Sequence, residues 1–227
     1  MANVVRVLST LALKGAIGNL ATRFEAEGGA RIDADFAPTL ALLERMRCGE
    51  GADVVILTKE ALDDLAAKGI VAAGSCADLA RSLVGLAVKA GVALPDIATP
   101  EALRTTLLGG RVAYSRIGAS GIFFVQLIER LGIANEINAR ATIIPSGFTA
   151  ERLITGEADL AVQQISELKL VPGVEIVGSL PRELQVPAVF SAGRLAASNN
   201  MVQSDRLLKY LASPEAAPAL RESGLEP

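Results

Sequence analysis

Two stretches of the chain end a β-type apolar run in a small polar turn and pass straight into a helical pattern. They are Val4-Val5-Arg6-Val7-Leu8 into Ser9-Thr10, and Arg111-Val112-Ala113-Tyr114 into Ser115-Arg116-Ile117-Gly118-Ala119-Ser120-Gly121. A strand that hands directly to a helix commits a chain to layered α/β architecture, because the helix must pack back on a sheet to bury its apolar face. The turn also carries chemistry. A helix N-terminus presents unpaired N–H groups and the positive end of its dipole, so two such turns facing each other make an anion-binding cleft.

The rest of the sequence extends the same alternation. After the first strand, a helical pattern runs from about Leu13 to Glu27 and stops at Gly28-Gly29. A short strand over Ile32–Phe36 reaches Ala37-Pro38-Thr39, where Thr39 is placed to cap a helix running to about Arg47; Ala52–Leu57 then reads as a buried parallel-type strand. A helix near Glu60–Lys68 and a strand-like run over Ser82–Lys89 follow, and Thr99-Pro100-Glu101 is a capped helix start with proline at its first position. Strand Arg111–Tyr114, helix Ile122–Leu131, strand Ala141–Ile144, a helix over about Thr149–Thr155 and strand Leu160–Gln163 complete a second alternating series. Val174–Val177 and Gln185–Ser191 are further strands, and the chain closes with helices over Ser204–Ala212 and Pro214–Ser223. The pattern specifies α/β with mainly parallel sheets.

Composition narrows the function. At 227 residues and 51% hydrophobic content the chain can bury one large domain or two modest lobes. Its net charge is −3 with no dense run of Lys or Arg, which argues against nucleic acid or an anionic membrane surface as partner. There is no histidine, which removes the serine–histidine triad, histidine metal sites and the commonest general base. Cys48 and Cys76 lack CxxC spacing, so neither a metal nor any other cofactor is expected. No apolar run reaches membrane-span length and Met1-Ala2-Asn3 is not a signal peptide, so the chain as written reads as cytoplasmic; a trimmed mature form with an added Met1 would read as periplasmic. Gln163 and Gln164 end an apolar strand, and because burying both without partners costs a few kcal/mol, one of them is expected to face a cleft.

Four ordered segments carry a resemblance: Val4–Thr10; Phe36-Ala37-Pro38-Thr39 with Gly51-Ala52-Asp53-Val54; Gly156-Glu157-Ala158-Asp159; and Tyr210-Leu211-Ala212-Ser213-Pro214-Glu215-Ala216 with Gly224. Together the chain resembles the molybdate-binding-protein-like branch of the type II periplasmic solute-binding proteins, a branch that includes aconitate isomerase-like enzymes. The resemblance implies a two-lobed Venus-flytrap, with lobe one from residues 1–82 plus 190–227, lobe two from 83–189, two crossing hinge strands at Ser82–Lys89 and Gln185–Ser191, and a ligand cleft between the lobes. It also implies contact positions at Ala12, Thr39, Ser120, Ser146 beside Gly147, and Gln164, where the family usually has tyrosine. Ala12 carries no hydroxyl, which leaves Ser9 and Thr10 as substitutes. Arg116, Gly121 and Lys14 lie in or next to the same turns, and an arginine matches a carboxylate bidentately. Gly156–Asp159 reads as a structural turn feeding a strand.

The expected function is capture of a small anion, an oxyanion or organic polycarboxylate, by a monomeric solute-binding component of an ABC-type permease. The alternative is an aconitate isomerase-like enzyme that moves a proton and a double bond in a tricarboxylate. Without histidine its base would be Lys, Asp, Glu, Tyr or an activated hydroxyl, and no catalytic residue is assigned.

Overall fold

The computed structural model describes residues 4–227; Met1-Ala2-Asn3, read in the sequence as the lead into the first strand, lie outside the described residues. The chain divides into two compact units, one comprising the described residues up to Arg81 with Ala188–Pro227, the other Ser82–Pro187.

The first unit is built on β1 (Val4–Ser9), α1 (Lys14–Ala26), β2 (Arg31–Phe36), α2 (Thr39–Arg47), β3 (Val54–Thr58), α3 (Lys59–Ala67) and β4 (Ala77–Ser82), and is completed by β10 (Ala188–Arg194), α9 (Met201–Leu211) and α10 (Ala217–Glu222). Its sheet has the order β2-β1-β3-β10-β4. The second unit contains β5 (Val84–Lys89), α4 (Pro100–Gly109), β6 (Val112–Ser115), α5 (Ala119–Arg130), α6 (Ala134–Asn138), β7 (Thr142–Ile144), α7 (Glu151–Ile154), β8 (Leu160–Gln164), α8 (Ile165–Leu168) and β9 (Val174–Ser179), with sheet order β7-β6-β8-β5-β9. The expected parallel arrangement holds for three strands of each sheet: β1 pairs in parallel with β2 and β3, and β6 with β7 and β8. The sheets are mixed overall, because β10 meets β3, and β5 meets both β8 and β9, in antiparallel register.

Both parallel sets begin the same way. The Arg6 N–H donates to the Asp53 carboxylate (2.9 Å) and Asp53 N–H returns to Arg6 O (2.9 Å), tying the start of β1 to the start of β3. In the second unit Arg111 N–H donates to Asp159 Oδ2 (2.9 Å), its guanidinium donates to both carboxylate oxygens, and Asp159 N–H donates to Arg111 O (2.9 Å). Gly51–Asp53 and Gly156–Asp159 therefore clamp strand starts, and their role is structural.

Several elements begin elsewhere than the pattern suggests. Leu11–Leu13 forms a 3-10 turn before α1. Thr39 is the first residue of α2 and not its cap: Pro38 holds the cap position, with no side-chain capping bond. The Ser82–Lys89 run is broken at Leu83 into β4 and β5, which belong to different sheets. Gln185–Ser191 gives way to β10 from Ala188, and α5 starts at Ala119, three residues before Ile122, because Gly118 supplies the extended cap conformation. Thr99 caps α4 as expected, accepting from Ala102 N–H at 3.1 Å. Cys48 and Cys76 are both free and exposed.

Burial follows the strands. Leu8, Val55 and Leu57 pack with Leu42 and Leu62 of α2 and α3, while Tyr114, Val112 and Val162 pack with Phe124, Leu127 and Ile137. A second layer, formed by Ala87, Ala113, Ala161, Leu153 and Leu168, covers the other face of the second sheet. In both units the parallel strands point the same way, so their C-terminal turns line one edge of each sheet.

Candidate functional site

At the strand-end edge of the first unit, Ser9 is in register with Phe36 on β2 and Ile56 on β3, which brings the turns after these strands side by side. Backbone bonds fasten them: Thr10 N–H donates to Ile56 O (3.0 Å) and Ala37 N–H to Ser9 O (3.1 Å). Ser9 is fully buried and its hydroxyl donates to Thr10 O at 3.1 Å, so it is used locally. Thr10 is only 3% exposed, yet its Oγ1 has no hydrogen-bond partner. Thr39, 6% exposed, lies at the start of α2 in the adjoining turn, and the Ala12 methyl is buried within the 3-10 turn. Lys14 opens α1, with its ammonium 5.9 Å from the centre of the Phe36 ring. A cation there sits at the positive end of the helix dipole, an arrangement that an anion offsets.

The corresponding edge of the second unit gathers the turns after β6, β7 and β8, since Ser115 pairs with Ile144 and Ala113 with Ala161. The first turn of α5 lies directly on the end of β6. A Cβ on Gly121 would fall 1.5 Å from the Ser115 carbonyl oxygen, so only glycine permits this approach. Ser120 is buried in that first turn, and the N–H groups of Ala119 and Ser120 precede the first intrahelical donor, the Gly121 N–H that bonds Gly118 O. Arg116 is exposed: its guanidinium lies 3.3 Å from Asn138 Oδ1, 3.4 Å from the Tyr114 hydroxyl and 6.0 Å from the Tyr114 ring centre. The Tyr114 hydroxyl itself donates to Asn138, which fixes the platform on which Arg116 rests. Ser146 is exposed on the turn after β7, and Gly147 beside it takes φ +81°, a conformation reserved in practice for glycine.

The two glutamines differ in the way their burial demands. Gln163, 3% exposed, is fully engaged: its Oε1 accepts from Thr149 N–H (2.8 Å), with the Thr149 hydroxyl at 3.0 Å, and its Nε2 donates to Gly147 O (3.1 Å). Gln164, 1% exposed at the end of β8, has no partner on either amide atom. A buried amide that leaves both donor and acceptor unused is costly, and it singles Gln164 out among the residues of this edge.

Sequence reading missed Glu167. Gln164 is the cap residue of α8 and Glu167 occupies its third position, where the carboxyl reaches back to the cap N–H as in a capping box. The Gln-x-x-Glu spacing was the available signal. The Gln163 side chain also donates to this carboxyl, and burial pushes its pKa up to about 8 against those two hydrogen bonds. Thr149 was also missed, since nothing in its local sequence announces a long-range tie to β8. Ser120, Gly121, Ser146, Gly147, Gln164 and Arg116 thus share one edge of the second unit, and Ser9, Thr10, Thr39 and Lys14 share one edge of the first. Among the described residues no cluster of three or more Cys, Asp or Glu side chains is arranged to hold a metal, and no helix is long and apolar enough to cross a membrane.

Comparison with known proteins fits this geometry. A family profile described as bacterial extracellular solute-binding protein matches residues 5–226. An aconitate isomerase from Pseudomonas sp. is 37% identical over 228 residues, covering 97% of this chain and 87% of the relative. Among solved structures, the Azotobacter vinelandii periplasmic molybdate-binding protein superposes with a TM-score of 0.83 at 18% identity, covering 97% of this chain and 98% of that one. The sulfate-binding protein SubI from Mycobacterium tuberculosis gives a TM-score of 0.76 at 14% identity, covering 99% of this chain and 87% of that one. The fold is the two-unit α/β fold of the type II periplasmic binding proteins.

Proposed function

This chain belongs to the bacterial extracellular solute-binding protein family, and on that premise we propose that it binds a small organic polycarboxylate through its strand-end turns. The observation that carries the reading is Gln164, a buried amide with both polar atoms unpartnered, at the edge where the α5 N-terminus also ends. An amide there can donate to a carboxylate and accept from a hydroxyl or a protonated carboxyl, whereas a simple tetrahedral oxyanion uses only the donor. In the second unit Arg116 supplies positive charge, Ser120 and Ser146 supply hydroxyls, and Gly121 and Gly147 let backbone approach closely; in the first unit Lys14 supplies positive charge and Thr10 a hydroxyl. In this reading the protein acts outside the cytoplasm as a monomer that delivers its ligand to an ABC-type permease, in keeping with the family's extracellular solute-binding description.

One observation favours a second reading, isomerisation of the bound ligand: the relative at 37% identity across nearly the whole chain is an aconitate isomerase. That reaction removes a proton from the methylene carbon, shifts the double bond, and returns a proton to the former vinylic carbon, so formula and charge are unchanged. Lys14 and the buried hydroxyls are the groups at these turns able to carry the proton.

Titration calorimetry against molybdate, sulfate, citrate, cis-aconitate and trans-aconitate tests the first reading, and proton NMR of each aconitate isomer incubated with the protein tests the second. Binding of citrate or an aconitate in preference to molybdate and sulfate is the expected result. Selective binding of molybdate refutes the polycarboxylate assignment, and absence of cis-to-trans conversion refutes the isomerase reading.

A further inference from the structure

Glu167 is the buried ionisable group that this reading does not yet use. Its carboxyl accepts from the Gln164 N–H and from the Gln163 side chain. Gln163 in turn holds Thr149 N–H and Gly147 O, the two ends of the turn that follows Ser146. A single carboxyl therefore bonds the backbone of Gln164 and, through Gln163, reaches the Gly147 turn. We propose that Glu167 is a positioning residue for the anion site and sets its pH response: in its neutral form it pins Gln163, and through it the Gly147–Thr149 turn, while ionisation sets a negative charge at the backbone N–H of Gln164.

The surroundings favour the neutral form. Burial pushes the carboxyl up to about 8, and no charged side chain contributes to that shift. β8 carries no titratable residue. β5 ends in Lys89 and β9 carries Glu175, but α8 meets β5 at Val84, opposite Gln164, while Glu175 pairs with Val88 and Lys89 with Val174 at the other end of the strand. Five residues of strand put Lys89 about 16 Å away. On α7, Arg152 is paired with Glu151 and Glu157, and Lys169 after α8 is exposed. Among the described residues no cation contributes to the shift of this carboxyl, so an anionic ligand at Gln164 meets its charge in a poorly screened setting.

The proposal rests on the polycarboxylate reading, and two measurements separate their fates. The first is calorimetry with citrate and trans-aconitate from pH 7 to 9.5, where trans-aconitate is fully ionised and citrate largely so, on wild type, Glu167→Gln and Glu167→Leu. Wild-type affinity is expected to fall more than about fivefold across this range, with a limit of about thirtyfold if only the neutral form binds. Glu167→Gln, which keeps a neutral hydrogen-bonding group, is expected to match wild type at pH 7 and stay flat to pH 9.5. The second is amide hydrogen exchange at Thr149 without ligand, at one pH: protection is expected to survive in Glu167→Gln and be lost in Glu167→Leu. A wild-type pH profile in Glu167→Gln, or full Thr149 protection in Glu167→Leu, overturns the proposal. If neither probe binds wild type, the polycarboxylate reading fails, and Thr149 exchange alone upholds or overturns the positioning role.

Discussion

Replacing Gln164 by methionine sets stability and binding against each other. The side chain is 1% exposed and neither amide atom is hydrogen-bonded, whereas methionine has similar length and no strong polar group. Each buried, unsatisfied polar atom costs about 1–3 kcal/mol, so removing both is expected to stabilise the ligand-free protein by about 2 kcal/mol or more. For a chain of this size that raises the unfolding midpoint by about 4–8 °C, read by circular dichroism in ligand-free buffer. The same substitution removes a donor and an acceptor from the proposed site, so affinity for citrate or aconitate is expected to fall at least about tenfold by calorimetry. The two effects have one cause and opposite signs. A lower midpoint with binding intact would show that the amide serves the fold, and the central observation behind the functional reading would be lost.

Thr10→Val applies the same logic to the first unit: the buried, unpartnered Oγ1 is exchanged for a methyl of similar shape, and ligand-free stability is expected to hold or rise by about 1 kcal/mol while affinity falls; a clear loss of stability in chemical denaturation refutes it. Gly121→Ala places a methyl on the Ser115 carbonyl and is expected to destabilise by about 3 kcal/mol or more in urea unfolding; a loss below about 1 kcal/mol would mean that α5 can move away without cost. Arg116→Ala is expected to weaken citrate more than sulfate, while Ser120→Ala weakens both by about 1 kcal/mol or more; equal losses for Arg116→Ala in calorimetry would reduce that arginine to a diffuse field. Because Glu167 binds its proton more tightly folded than unfolded, it contributes stability that is full below about pH 4 and lost as pH rises towards 8, at up to about 1.4 kcal/mol per pH unit; Glu167→Gln should remove that slope in pH-dependent unfolding, and an identical slope in both proteins refutes it.

The strand-to-helix units were legible because each rests on local chemistry. Val4–Ser9 and Val112–Ser115 are apolar runs ended by small polar residues, and Thr99-Pro100 announces its helix from three adjacent positions. What the sequence hid depends on partners far along the chain. Nothing near Leu83 says that one apolar run serves two sheets, since that break is set by which strands β4 and β5 join. Thr39 looks like a cap because threonine often is one, but the fixed φ of Pro38 already supplies the entry conformation, and the helix starts one residue earlier than a hydroxyl cap at Thr39 would place it. Residues of the second unit's site were readable one by one, and the tie among them was not. Thr149 meets Gln163 across 14 residues, and only folding reveals it.

Gln163 and Gln164 carry the argument from sequence to function most directly. Adjacent residues on a strand face opposite sides of the sheet, so two neighbouring glutamines cannot share one partner set. Each must therefore find its own partners, and here only one of them does. In this protein Thr149 and Gly147 satisfy Gln163, and Glu167 fastens the cap N–H of Gln164 while leaving its side-chain amide unused. The fold therefore spends three side chains on immobilising the backbone around an amide that it does not bond. A purely structural role for Gln164 gives no reason for that arrangement, since leucine or methionine would pack the same space without an orphaned donor and acceptor. In the proposed site, preorganising one free amide at the end of a parallel strand, next to a helix N-terminus, lowers the ordering cost of binding a polar ligand there.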